Sequence, residues 1–149
     1  MQKADDPMSR AFDAAMAASA CGEVLVGAVI VRDGVVLAAA GNRTLADRDP
    51  TAHAEMLAIR AACALLGSER LPGCDLYVTL EPCAMCAGAI SFARLRRVYY
   101  AAPDAKGGGV DHGGMFFRQP TCHHAPEVMG GIRESEAAEM LRAFFEAKR

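Results

Sequence analysis

No stretch of the sequence approaches the roughly eighteen uninterrupted apolar residues that a membrane-spanning helix needs, although 52% of its residues are hydrophobic. Residues 1–10 carry acid and a proline and are unlike a secretory signal. A soluble cytoplasmic protein with no membrane partner is therefore the expectation. Repeats, low-complexity tracts and long linkers are missing as well. The 149 residues are the length of one ordinary domain, long enough to bury a core without staples, and residues 1–149 are expected to fold as one. Excess charge of one sign is also lacking. At a net charge of −2 the chain as a whole offers no field that draws in a polyanion, so any nucleic-acid contact must use a local patch. Two short basic clusters exist, Arg94 with Arg96 and Arg97, and Arg142 with Lys148 and Arg149, for which a solvated face is the ordinary reading. The six cysteines lack the spacing of a small disulfide scaffold, and in a chain that builds its own core they read as reduced thiols and metal ligands.

What is present is an alternation of helical and strand patterns. Asp5-Asp6-Pro7 sets a cap and a proline at the start of a first helix, continued by Met8, Phe12, Ala15, Met16 and Ser19 at helical spacing. Residues 24–31 and 35–40 are apolar runs joined by Asp33-Gly34, a dipeptide suited to the positive φ angles of a two-residue hairpin turn. Beyond a polar loop over 41–50, Thr51 caps a predicted helix from about residue 52 to residue 66, ended by Gly67, with His53 and Glu55 in its first turn. Residues 75–80 alternate as a strand, and Glu81-Pro82 breaks it before an alanine-rich helix over 83–93 that opens with Cys83 and Cys86. Residues 97–102 form a fourth predicted strand, followed by a glycine-rich loop over 103–114 and an aromatic segment, 115–117, read as a short strand or turn. A final helix over 134–148 shows Ala137, Met140, Leu141, Phe144 and Phe145 at core spacing. The order α-β-β-α-β-α-β-α predicts a sheet layered with helices, parallel where strands are joined through helices.

Chemistry is concentrated in His53-Ala54-Glu55 and Pro82-Cys83-Ala84-Met85-Cys86. A catalytic zinc takes three protein ligands from among His, Cys and carboxylates and keeps a fourth position for water; one histidine and two cysteines meet that count. Cysteines three apart at a helix start project to the same side, where the helix N-terminus favours the thiolate. Glu55 lies two residues beyond His53, about 200° around a helix, so it can reach past the metal face to the water as a proton shuttle. Taken singly, each piece has a plainer reading: His-Ala-Glu as an ordinary helix start, Cys-x-x-Cys as a redox pair or half of a structural zinc site. Neither accounts for both halves, whereas the deaminase pattern of His-x-Glu followed by Pro-Cys-x-x-Cys requires both.

On these motifs, and on Val26-Gly27-Ala28-Val29, Gly41-Asn42-Arg43 and the residues from Leu76 through Gly88, the chain resembles the bacterial tRNA-specific adenosine deaminases of the cytidine-deaminase superfamily. The resemblance implies an α/β fold of three α/β/α layers, cytidine-deaminase-like, with a mixed sheet, a β-hairpin and a zinc site at two helix N-termini. It implies one Zn2+ per chain on His53, Cys83 and Cys86, Glu55 as the catalytic group, and hydrolytic deamination of adenosine to inosine at the wobble position of a tRNA anticodon. It further implies that Asn42, Asp104, Lys106, Phe145 and Arg149 meet the anticodon stem-loop, and that the protein is a homodimer, with residues 87–92 and the arginines after them in its face. The alternative on the same zinc site is a deaminase of a free nucleobase or nucleoside, of the guanine or cytosine type. Two places depart from the pattern: Leu25, where relatives commonly carry proline, and the loop over 107–115, which borders the expected substrate mouth. Cys21, Cys63, Cys74 and Cys122 are expected as buried free thiols. His112, His123 and His124 are read as surface or structural, because a fourth protein ligand would close the zinc to water.

Overall fold

The computed structural model describes residues 6–148. Helix α1 (Pro7–Ala20) leads into a hairpin of β1 (Gly27–Arg32) and β2 (Val35–Gly41). Then α2 (Ala54–Leu66), β3 (Asp75–Leu80), α3 (Ala84–Phe92) and β4 (Arg97–Ala102) alternate, and a short β5 (Glu127–Met129) precedes α4 (Glu134–Ala147). The hairpin turns on Asp33 (φ 51°) and Gly34 (φ 76°), the positive φ at both central positions that a two-residue turn matching strand twist demands.

The strands form one mixed sheet in the order β2-β1-β3-β4-β5. β1 is antiparallel to both its neighbours, while β3, β4 and β5 run parallel. β3 and β4 are joined through α3 and pair in parallel, as a helical crossover requires. β2 and β3, joined through α2, are kept apart by β1.

Successive strand residues point to opposite faces of a sheet, and here both faces are covered. Ala28, Ile30, Leu76, Val78 and Val98 pack with Ala58, Ile59, Ala87 and Ile90 of α2 and α3. On the other face, Val29, Val31, Tyr77 and Ala101 pack with Met8, Phe12, Ala137 and Met140 of α1 and α4. Burial on both faces explains why β1 reads as a nearly continuous apolar run, and it makes the fold three layers, α/β/α.

Close approach of α1 to the hairpin depends on Gly27. A Cβ there would lie 2.0 Å from the Ala11 carbonyl oxygen and 2.6 Å from the Ala15 nitrogen, both backbone atoms that cannot swing aside. Gly27→Ala is therefore expected to cost ~1–3 kcal/mol, which lowers Tm by ~2–4 °C per kcal/mol in a chain of this size. Gly34→Ala, where nothing lies within 4 Å, should cost about 1 kcal/mol from its positive φ alone. Thermal melts that rank the two the other way would show that α1 yields to the added methyl.

Several boundaries differ from the pattern in the sequence. The apolar run from residue 24 does not begin as strand: the Val26 N–H donates to the Val24 carbonyl (2.9 Å) in a tight turn ahead of β1. α2 starts at Ala54, because His53 has extended backbone (ψ 154°) and serves as the N-cap. Phe116–Arg118 is a 3-10 turn, and β5 had no counterpart in the expected order. At the head of α1 the Asp6 carboxylate does not cap its own helix but takes the Arg133 guanidinium at 2.8 Å, tying α1 to the start of α4; Asp5 lies outside the described residues. Among the described residues no helix is long and apolar enough to cross a membrane.

Candidate active site

Two helix starts meet below the C-terminal end of β3. His53 is the N-cap of α2 and Cys83 the N-cap of α3, and neither uses its side chain to cap its helix. Both side chains are thereby left for each other: the His53 Nδ1 lies 3.6 Å from the Cys83 Sγ and 3.6 Å from the Cys86 Sγ, which is buried in the first turn of α3. Bonds of ~2.05 Å to nitrogen and ~2.3 Å to sulfur at a tetrahedral angle put the two donors ~3.5 Å apart, so the spacing fits a zinc ion at their centre. All three donor atoms lie within 4.8 Å of one another, and among the described residues no other histidine, cysteine or carboxylate joins the group. Three ligands leave a tetrahedral ion one position open.

The sulfurs are prepared for a cation. The Cys83 thiol is pulled down to about 5, first by the hydrogen bond from Cys86 and further by the backbone N–H groups of the α3 first turn and by His53. Cys86 is raised, first as the donor to Cys83 and then by burial. A divalent cation bound there would take both sulfurs as thiolates.

Glu55, in the first turn of α2, is 4% exposed. Burial, reinforced by the nearby Cys83 charge, pushes its carboxyl up to about 7. A group near that value can both take and return a proton at neutral pH. His53, Cys83 and Glu55 edge a pocket of about 300 Å³, at the small end of ligand sites. Val24, Val26 and Leu80 give it apolar walls, and Asn42, Thr44, Asp104 and Gly107 line it as well.

Asn42 is buried and donates from Nδ2 to the Glu23 Oε1 (3.3 Å) and the Thr44 Oγ1 (3.1 Å). Both amide protons are spent, and its oxygen is the group it offers to a ligand. The Asp104 Oδ1 accepts from the backbone N–H groups of Lys106 (3.1 Å) and Gly107 (2.9 Å), closing a local turn at the pocket edge. Lys106 is exposed and Phe145 is 57% exposed on α4, and neither lines the pocket; Arg149 lies outside the described residues.

The basic clusters are largely compensated. Arg94 donates to the His123 carbonyl, Arg96 is bidentate on Asp75, Arg97 lies 3.6 Å from Glu127, and Arg142 is held by Glu139 and Glu146. Cys74 is buried and Cys63 and Cys122 are half-buried, whereas Cys21 is exposed at the end of α1, contrary to the expectation of burial. His124 donates to the Leu95 carbonyl (2.7 Å).

Three further side chains shape the surroundings of the pocket: Glu23 and Glu81, which the sequence does not single out for the site, and His112, whose reading as surface or structural agrees with its bond to Glu81. Glu23 accepts from the backbone N–H groups of Leu45 and Ala46 as well as from Asn42, holding the β2–α2 loop over the pocket. Glu81, which also lines the pocket, pairs with His112 at 2.7 Å. Burial works against the Glu81 charge, but hydrogen bonds from the Asp104 N–H, the His112 ring and further backbone amides hold its carboxyl below the usual range. The one signal for Glu81 was a glutamate ending an apolar strand directly before Pro82-Cys83, a place where a charge needs partners to be buried.

The zinc-binding region of cytidine and deoxycytidylate deaminases matches residues 1–102. The tRNA-specific adenosine deaminase of Agrobacterium fabrum is 65% identical over 127 residues, 85% of this chain and 84% of that protein. A solved structure from a study of A-to-I editing by tRNA:A34 deaminases at the wobble position of transfer RNA superposes with a TM-score of 0.89 at 61% identity, covering 91% of this chain and 98% of its own. The guanine deaminase of Bacillus subtilis superposes with a TM-score of 0.66 at 33% identity, covering 96% of this chain and 94% of its own.

Proposed function

The chain belongs to the zinc-binding family of cytidine and deoxycytidylate deaminases and, within it, to the tRNA-specific adenosine deaminases, and we propose that it converts adenosine to inosine at the wobble position of a tRNA anticodon. The observation that carries the choice of substrate is the gap in similarity: 65% and 61% identity to tRNA adenosine deaminases against 33% to a guanine deaminase of the same architecture. The residues that do the chemistry are His53, Cys83 and Cys86 as ligands of one zinc and Glu55 as acid and base.

Zinc, when bound, supplies the Lewis acidity that makes water a usable nucleophile near neutral pH. Glu55 takes a proton from water as its oxygen adds to C6 of the adenine, and passes that proton to ring N1. It then carries the second proton to the amine, the C6–N bond breaks, ammonia leaves and a C6 carbonyl remains. Val24, Val26 and Leu80 enclose the base once it has been turned out of its stack and keep bulk water away. Asn42 offers its amide oxygen to the nucleoside, and Asp104 and Lys106, with Phe145 on α4 and with Arg149, are the proposed contacts to flanking nucleotides.

The same reading makes the chain one domain that acts in the cytoplasm as a homodimer, with α3 in the dimer face; Phe92, 76% exposed at its end, is a large apolar side chain left without cover. Substrate choice is tested by comparing turnover of an anticodon stem-loop carrying the wobble adenosine with turnover of free adenosine, cytosine and guanine. The stem-loop should be deaminated with a kcat/KM at least ~10²-fold above any free base, since contacts to flanking nucleotides are lost with the strand. Efficient turnover of free guanine with none of the stem-loop would establish the free-base alternative.

A further inference from the structure

Glu81 directly follows β3, and its side chain is wholly enclosed, at 0% exposure. The Oε2 atom accepts from the backbone N–H groups of Val110 (3.2 Å), Asp111 (2.9 Å) and His112 (3.1 Å). The Oε1 atom accepts from the Asp104 N–H (3.0 Å) and from the His112 ring Nδ1 (2.7 Å). One buried carboxylate therefore gathers both ends of the segment 104–112, the glycine-rich stretch after β4. Such a segment has much backbone freedom to lose, and hydrogen bonds to an ionised acceptor are the strong kind.

The clasp draws the segment onto the helix that carries the cysteines. The Gly109 N–H donates to the Pro82 carbonyl (2.8 Å). A Cβ on Gly109 would lie 2.6 Å from the Ala84 nitrogen, and one on Gly108 would lie 2.4 Å from the Glu81 Oε2. Glycine at both positions lets the backbone settle on the carboxylate and on the first turn of α3 together. Asp104 and Gly107, at the near end of the segment, line the pocket that holds Glu55 and His53.

We infer that Glu81, assisted by His112, is a positioning residue for substrate recognition, its carboxylate clasping residues 104–112 so that the pocket wall formed by Asp104 and Gly107 is built before the nucleoside arrives. A wall already in place spares each binding event the entropy of ordering it. A loosened wall weakens binding first, and the chemistry at Glu55 on a bound base much less. The inference rests on the reading that the pocket takes an adenosine from an RNA strand.

Two variants test it. Glu81→Gln keeps the shape but sets an NH2 group among N–H donors; His112→Phe keeps a ring, removes one donor and leaves the four backbone contacts. In Glu81→Gln, hydrogen exchange at the amides of Asp104, Val110, Asp111 and His112 should accelerate ~10-fold or more while β3 and α3 stay protected. KM for the anticodon stem-loop should rise ~10-fold with kcat within ~3-fold of wild type and zinc at one per chain. His112→Phe should move the same quantities in the same direction by less, and it decides alone if Glu81→Gln does not fold. A lowered Tm with unchanged KM would reduce Glu81 to a stability role, and loss of zinc with kcat would assign it to the metal helix; either overturns the inference, as do unaltered exchange rates. Wild-type protein that fails on the stem-loop sinks the substrate reading instead, and the exchange rates, with KM on whichever free base is turned over, then judge the clasp by itself.

Discussion

Glu55→Ala and Glu55→Gln are both expected to lower kcat by at least ~10²-fold, the lower end of what general acid–base catalysis supplies, while each protein keeps one zinc per chain. The first half of this expectation follows from burial: a carboxyl held at about 7 in the pocket is poised to move two protons per turnover, and neither an alanine nor an amide can move any. A decade of rate is about 1.36 kcal/mol, so the expected loss is ~2.7 kcal/mol or more of transition-state stabilisation. The second half follows from geometry, since Glu55 is not in the His53, Cys83, Cys86 group whose donor atoms meet within 4.8 Å. The glutamine variant separates catalysis from packing, because it fills the same volume. Metal analysis beside steady-state kinetics checks both halves, and zinc lost together with Glu55 would make the residue a ligand.

Cys83→Ala and Cys86→Ala should lose metal and activity together. Removing an outer-shell partner of a metal ligand already costs ~10–100-fold in affinity, so removing a ligand from a site with three should cost more than ~10²-fold. The His53 Nδ1 is 3.6 Å from each sulfur, and no fourth side chain stands in reserve among the described residues. Cys86→Ala should be the less stable of the two, because Cys86 is fully buried against the core whereas Cys83 is half-exposed at the pocket. Zinc content after gel filtration is the direct measurement, and a dilute chelator should strip either variant under conditions that leave wild type loaded. Full occupancy in both variants would remove the proposed site.

How far the sequence reached can be judged element by element. β3 and β4 fall on residues 75–80 and 97–102 as their patterns predict, since each buries both faces and stops at charge or proline. The Asp33-Gly34 turn is equally local, because positive φ at two successive positions is a property of those two residues. β5 was invisible for the opposite reason. Three residues, Glu127–Met129, are too few to show alternation, and they are strand because β4 presents an open edge to them. The segment 115–117, read as a short strand or turn, resolves as the 3-10 turn Phe116–Arg118, with Phe116 and Phe117 packed against the core.

The proposed chemistry is written in short motifs. The proposed ligands and proton carrier sit at separations of two and three residues at helix starts, so each half, His53 with Glu55 and Cys83 with Cys86, is a local feature, while bringing His53 to cysteines 30 and 33 residues on took the fold. How the pocket is walled is instead a matter of contacts distant in sequence. Glu23 reaches Leu45 and Ala46 across 22 and 23 residues, and Glu81 reaches Asp104 and His112 across 23 and 31. Such bonds exist because the sheet order sets β3 between β1 and β4, bringing the loops that follow β2 and β4 to the same end of the sheet. A buried carboxylate then has to find donors there, and which donors it finds is a property of register and chain path, for which the residues near it in sequence carry no mark.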